Sequence, residues 1–315
     1  MNELRIVFMG TPEFAVGILD SILIHKYKVV GVITAPDKPA GRGQQIKYSA
    51  VKEYAVEKGL TLLQPSNLKD PGFLEQLRLL QANLQVVVAF RMLPEAVWKM
   101  PEYGTFNLHA SLLPDYRGAA PINWAIINGD TKTGVTTFFI DDKIDTGAII
   151  LSREAEISPD ENAGQLHDKL MNLGREAVID TLKLIERHEA TPKEQDERDN
   201  YRTASKLNKE NCRIDWTING RAIYNVIRGL SPYPAAWCIF YDMDKSWNVK
   251  IYDAEFHQEP NDEEAGTMTV DKKSLKIAVT DGYLDIKELQ FPGKKKMKVS
   301  ELLNGMTFTA KAHAG

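Results

Sequence analysis

Between residues 5 and 90, short apolar runs alternate with segments of helical character, and that alternation is the strongest constraint on how this chain folds. Residues 5–8 form the first run. The turn Gly10-Thr11-Pro12 then leads into a helix beginning near Glu13, where Pro12 suits a first helical turn because it lacks an N–H needing a partner. The pattern predicts a strand over residues 29–33, helices near 49–58 and 71–80, and a strand over 84–90. Strands separated by helices are expected to run parallel, because a tight turn joins only antiparallel neighbours.

The expected first domain is therefore α/β, on a Rossmann-like parallel sheet. Its first turn lacks the glycine fingerprint that cradles a dinucleotide, so nothing points to NAD. Further on, Gly104-Thr105-Phe106 leads another strand, residues 134–140 are β-branched and aromatic, and 148–151 read as their hairpin partner. Residues 141–147 are then a connecting loop, a usual place for function. Leu166, Leu170, Leu173, Ala177, Val178, Leu182 and Ile185 recur at helical spacing and predict a long amphipathic helix over 163–188.

From residue 189 the chain turns polar, with Glu194-Gln195-Asp196-Glu197-Arg198-Asp199 inside the stretch. The expected organisation is a catalytic domain over 1–189, a linker over 190–207 and a second domain over 208–315. In the last part, an amphipathic helix near 220–229 and strands near 236–241, 249–254, 275–279 and 283–289 suggest a small β-barrel with one helix.

At 315 residues the chain can hold two domains with substantial cores. The net charge of −4 argues against broad nucleic-acid affinity, but its distribution is uneven. From Asn208 onward 15 basic residues balance 15 acidic ones, so the negative excess lies in the first part. Between Lys38 and Lys52, however, the bases Lys38, Arg42, Lys47 and Lys52 meet no acid. No apolar stretch has the roughly 18 residues a membrane helix needs, and no signal peptide is evident, so a cytoplasmic location is expected. Cys212 and Cys238 lack metal-ligand spacing and the histidines do not cluster, so no metal site is expected.

The chemistry is concentrated in Asn107-Leu108-His109-Ala110-Ser111-Leu112-Leu113-Pro114, followed by Arg117-Gly118-Ala119-Ala120-Pro121 and by Asp145-Thr146-Gly147. Passing an acyl group between two amines calls for donors at a developing oxyanion, a group that handles protons and a group that orients it. Asn107, His109 and Asp145 match those needs. On a strand, Asn107 and His109 point to the same face. Position alone does not separate Asp145 from Asp142, since either suits a turn.

These residues closely resemble the signature of the folate-dependent formyltransferases: Asn-x-His-x-Ser-Leu-Leu-Pro, Arg-Gly-x-x-Pro and Asp-x-Gly. The opening from Ile6 to Ala15, the segment Pro36-Asp37-Lys38-Pro39-Ala40-Gly41-Arg42-Gly43 and the run Leu230-Ser231-Pro232-Tyr233-Pro234-Ala235-Ala236-Trp237 are similar to the members that act on methionyl-tRNA. The resemblance implies transfer of a formyl group from 10-formyl-tetrahydrofolate to the α-amine of methionyl initiator tRNA, for translation initiation. It implies catalysis by Asn107, His109 and Asp145 and selects Asp145 over Asp142. It places folate against Phe90, Met92, Leu93, Pro94, Ser111, Leu112, Leu113 and Pro114, and tRNA against Lys38, Arg42 and Lys47. An OB-like second domain and a monomeric state are implied as well. Two positions depart from the pattern: Asp115 stands where the family commonly has a base, and Arg91-Met92 where many relatives carry glycine.

The trio alone is equally compatible with formyl transfer to a small amine or with hydrolysis of a formyl-folate. The basic segment and the appended domain favour a large anionic acceptor. A binding module with an idle first domain is the reading from another class, and such a module would not need amide, imidazole and carboxylate together.

Overall fold

The strand Arg5–Gly10 is buried over all but its first residue, because neighbours flank both its edges and side chains cover both its faces. It is central to a seven-stranded sheet in a computed structural model that describes residues 3–40, 45–196 and 200–315. The strand order is Ile149–Glu156, Lys132–Phe139, Thr105–His109, Leu84–Val88, Arg5–Gly10, Lys28–Ile33, Leu62–Leu63. Pairing is parallel from Thr105–His109 through to Leu62–Leu63, whereas Lys132–Phe139 runs antiparallel to Thr105–His109. The α/β class expected from the alternation is the one observed.

Local chemistry sets the helix ends. Ser49 caps Ala50–Glu57 by accepting from the Lys52 N–H, and the Asp70 carboxylate caps Pro71–Leu79 by accepting from the Phe73 N–H. The strand predicted over 84–90 stops at Val88, because Ala89 turns to φ 47°. Within the basic segment that begins at Pro36, Lys38–Ala40 and Gln45–Lys47 pair as short antiparallel strands. On one face of the sheet Val7, Met9, Ile33 and Val87 pack against Phe73, Leu77, Leu93 and Val97. Each such buried side chain contributes about 1.5–3 kcal/mol relative to exposure.

The chain divides into two units. The first holds residues up to Gly118, Thr133–Ala155 and His167–Thr203; the second holds Ala119–Lys132, Glu156–Leu166 and Ala204–Gly315. The second unit therefore draws two inserted segments from the earlier sequence. Helix Pro121–Ile127 packs on helix Gly220–Leu230, with the Asn123 carboxamide donating to the Gly229 carbonyl at 2.8 Å. Buried Arg228 donates to the Glu161 carbonyl at 2.7 Å.

Strands Met268–Val270, Leu275–Val279, Gly282–Gln290, Lys245–Gln258, Ala236–Asp242 and His313–Ala314 follow one another in an antiparallel sheet of the second unit. A bridge between Thr267 and His313 brings its two ends together into a nearly closed barrel. Ile223, Ile227, Phe240, Ile251, Ile277 and Leu284 are in its core. Among the described residues no helix is long and apolar enough to cross a membrane.

Candidate active site

Strand Thr105–His109 delivers Asn107 and His109 to one face at the carboxyl end of the sheet, the place where open α/β sheets present their ligand crevice. Beyond His109 the chain turns through a cis peptide at Leu113-Pro114 and reaches Tyr116 at φ 63° and Gly118 at φ 124°. These left-handed conformations, uncommon for residues with a Cβ, cluster around the same spot as Asp145, at φ 55°.

The His109 ring is buried, and its Nε2 lies 2.8 Å from the Tyr116 carbonyl oxygen. A carbonyl only accepts, so Nε2 carries a hydrogen and donates it. Nδ1 then faces Asp145, whose Oδ2 lies 3.9 Å away. That distance is too long for a hydrogen bond, so the carboxylate lies beside the ring without bonding to it. The same Oδ2 accepts from the Gly118 N–H at 2.9 Å. Ring orientation therefore comes from the Tyr116 carbonyl, whereas the motif suggested Asp145 for that part.

Asn107 is half-buried, and among the described residues its carboxamide takes no hydrogen bond. A free amide, an imidazole with one available nitrogen and a carboxylate thus come from one strand and one loop. Loop residues divide their work: Asp141 supplies the turn chemistry, accepting from the Lys143 N–H at 3.0 Å and from the Thr146 hydroxyl at 2.7 Å. Asp142, the alternative turn residue in the sequence, is exposed. Gly147 is required by close approach, since a Cβ there would lie 1.7 Å from the Phe139 carbonyl oxygen.

The residues expected around a folate fall into two groups. Phe90, Leu112 and Pro114 are half-buried and Met92 is 65% exposed, leaving apolar surface available to a flat ring. Leu93 and Leu113 are buried, and Pro94 precedes the short helix Glu95–Trp98. Ser111 is fully buried; its hydroxyl donates to the Asp115 carbonyl and its own carbonyl accepts from the Thr136 hydroxyl. Arg91 donates to the Ser66 carbonyl at 3.0 Å and also to that of Pro65, so it braces the neighbouring loop. Asp115 accepts from the Arg202 backbone N–H at 3.1 Å. Of the basic segment, Lys47 is exposed, while Arg42 and the side chain of Lys38 lie outside the described residues.

A formyl transferase family model matches residues 4–182, and a second model, for the formyl transferase C-terminal domain, matches residues 206–307. The chain belongs to the formyl transferase family. Within that family, methionyl-tRNA formyltransferase of Flavobacterium johnsoniae is 65% identical over 312 residues, covering 99% of each chain. Its counterpart in Bacteroides thetaiotaomicron is 52% identical over 309 residues, covering 96% of each. Among solved structures, HypX from Aquifex aeolicus in complex with tetrahydrofolic acid has a TM-score of 0.66 at 18% identity, covering 96% of this chain and 47% of that one. An N-formyltransferase from Helicobacter canadensis, in complex with folinic acid and dTDP-3-aminofucose, also has a TM-score of 0.66, at 21% identity, covering 90% and 98%. At those identities the likeness establishes the shared fold.

Two contacts within this site carry no side-chain signal in the sequence: the Tyr116 carbonyl on His109 and the Gly118 N–H on Asp145. A third contact comes from Gln195, in the polar stretch read as linker, whose Nε2 donates to the Asp145 carbonyl at 2.9 Å. Away from this site, Glu255, His257 and Asp285 bring ligand-type atoms within 4.8 Å of one another. Lys287 already pairs with both carboxylates, at 2.9 Å and 2.8 Å, so an ammonium group occupies the space between them and offsets one of their two charges.

Proposed function

We propose that this chain transfers the formyl group of 10-formyl-tetrahydrofolate to the α-amine of methionyl initiator tRNA, with Asn107, His109 and Asp145 carrying the chemistry. The observation that carries the acceptor's identity is the 65% identity to a methionyl-tRNA formyltransferase along nearly the whole of both chains.

The acceptor amine attacks the formyl carbon in its neutral form. As the carbon–nitrogen bond forms, the carbonyl electron pair moves to oxygen, where the Asn107 amide donates a hydrogen bond. His109 Nδ1, kept available because Nε2 is engaged by Tyr116, takes the amine proton. Asp145 stabilises the resulting imidazolium. Collapse of the tetrahedral adduct breaks the bond to the folate nitrogen, and His109 returns the proton to that nitrogen. No covalent intermediate with the enzyme is needed.

Phe90, Met92, Leu112 and Pro114 offer the apolar wall for the pterin, with Leu93, Pro94, Ser111 and Leu113 shaping it from beneath. Lys38, Arg42 and Lys47 contact the tRNA backbone. The enzyme acts in the cytoplasm, as a monomer and without a metal. The test is transfer of labelled formyl from 10-formyl-tetrahydrofolate to methionyl-tRNA, with free methionine and a small amino sugar nucleotide as parallel acceptors. Label on methionyl-tRNA alone is expected. Label on a small amine, or release as formate whatever the acceptor, refutes the acceptor while leaving formyl chemistry in place.

A further inference from the structure

Gln195 comes from the polar stretch after the long helix, yet its half-buried side chain meets the catalytic loop. Its Nε2 donates to two backbone carbonyls, of Asp145 and of Gly147, each at 2.9 Å. Its Oε1 accepts from Arg117 Nε at 3.2 Å and Arg117 Nη2 at 2.6 Å. The Arg117 guanidinium in turn lies over the Tyr201 ring, 4.7 Å from its centroid. One carboxamide therefore ties together the Arg117-Gly118 turn, the Asp145-Thr146-Gly147 loop and the stretch that carries Tyr201.

Both halves of the amide are used. A carboxylate at this position would accept from Arg117 but has nothing to donate, and an ammonium would donate but has nothing to accept with. The loop needs such a brace, because Asp145 has φ 55°, a conformation that a residue with a Cβ keeps only when its surroundings hold it. The Asp145 carboxylate must also satisfy two constraints at once: 2.9 Å from the Gly118 N–H and 3.9 Å from His109 Nδ1.

We propose that Gln195 is a positioning residue for formyl transfer: by clamping the carbonyls of Asp145 and Gly147 to Arg117, it keeps the Asp145 carboxylate in place beside His109. The inference rests on the catalytic reading of Asp145. Gln195 acts through the backbone of the loop, by its bonds to the Asp145 and Gly147 carbonyls. Its loss is therefore felt in turnover rather than in binding, because it loosens a group needed in the transition state and leaves the binding surfaces alone.

The test compares the full chain with Gln195→Glu, Gln195→Ala and Asp145→Asn in steady-state formyl transfer, varying formyl donor and methionyl-tRNA separately and recording each protein's thermal midpoint. Gln195→Glu is the sharper probe, since it preserves size and the Arg117 pairing while turning an oxygen on both carbonyls. Both Gln195 variants are expected to lose kcat by about tenfold or more, with KM for either substrate changed by less than about twofold. A kcat within about twofold of the unsubstituted enzyme in a folded Gln195 variant, or a loss confined to KM, overturns the proposal. Should Gln195→Ala not fold, Gln195→Glu decides alone. Native turnover by Asp145→Asn sinks the catalytic reading itself. An inactive Asp145→Asn beside a fully active Gln195→Glu sinks only the role of Gln195.

Discussion

Gly147→Ala removes nothing chemical from the site and tests whether loop position alone limits turnover. The added Cβ would be placed 1.7 Å from the Phe139 carbonyl oxygen and 2.9 Å from its carbonyl carbon, whereas real Cβ contacts stay above 3.0 Å. Both obstacles are backbone, fixed because the Phe139 N–H also donates to the Ala148 carbonyl at 3.0 Å. The loop must retreat by more than an ångström, and Asp145 is two residues upstream. Misplacement of that size costs roughly a hundredfold in rate, so kcat should fall about a hundredfold. The steric penalty, about 1–3 kcal/mol, leaves the protein folded. Steady-state formyl transfer is measured beside a thermal unfolding curve. A folded Gly147→Ala enzyme with kcat within about threefold of native refutes the claim that the position of Asp145 limits turnover.

Burial drives the Cys238 thiol far above its ordinary value and raises Cys212 too, so neither should react with a thiol reagent at mildly alkaline pH until the protein is unfolded; prompt labelling in the native state contradicts this. The Thr309 hydroxyl and backbone N–H, both donating to Asp242, hold its carboxyl below the ordinary 3.8. A depressed value means stability that is present above 3.8 and lost as pH falls through the lowered folded value. Asp242→Asn is therefore expected to lower the urea midpoint at neutral pH and flatten the acid-side loss; an unchanged acid limb contradicts it. For Lys47, an exposed base, Lys47→Ala should raise the tRNA concentration for half-maximal rate and reduce the salt slope by about one, leaving use of the formyl donor alone. An unchanged slope takes Lys47 off the tRNA.

The parallel sheet was legible because its strands are largely buried on both faces, and Leu84–Val88 accordingly reads as an apolar run interrupted only by Gln85. The two-residue spacing of Asn107 and His109 was enough to place them on one face. What side-chain types do not encode was hidden. Asp141 rather than Asp142 makes the turn, a difference decided by loop geometry. The Tyr116 carbonyl orients His109, and any residue type supplies a carbonyl. Ser111 and Leu113 match the motif and the resemblance adds Leu93, yet packing buries all three where a ligand surface was implied. The grouping of Ala119–Lys132 and Glu156–Leu166 with the barrel depends on contacts remote in sequence, which periodicity does not report. Gln195 was concealed for the opposite reason: a polar residue in a polar stretch looks solvated until its partners are known.

The most direct test of the account is single-turnover formyl transfer to saturating methionyl-tRNA by Asn107→Ala, His109→Ala and Asp145→Asn, each checked for native folding. Losing one oxyanion donor costs about 2.7–4 kcal/mol, so Asn107→Ala should be slower by at least about a hundredfold. His109→Ala is expected to lose at least as much, because the proton then has no carrier, and Asp145→Asn should follow as the imidazolium loses its counter-charge. Near-native rates from any one of these folded variants would contradict the shared role assigned to the three.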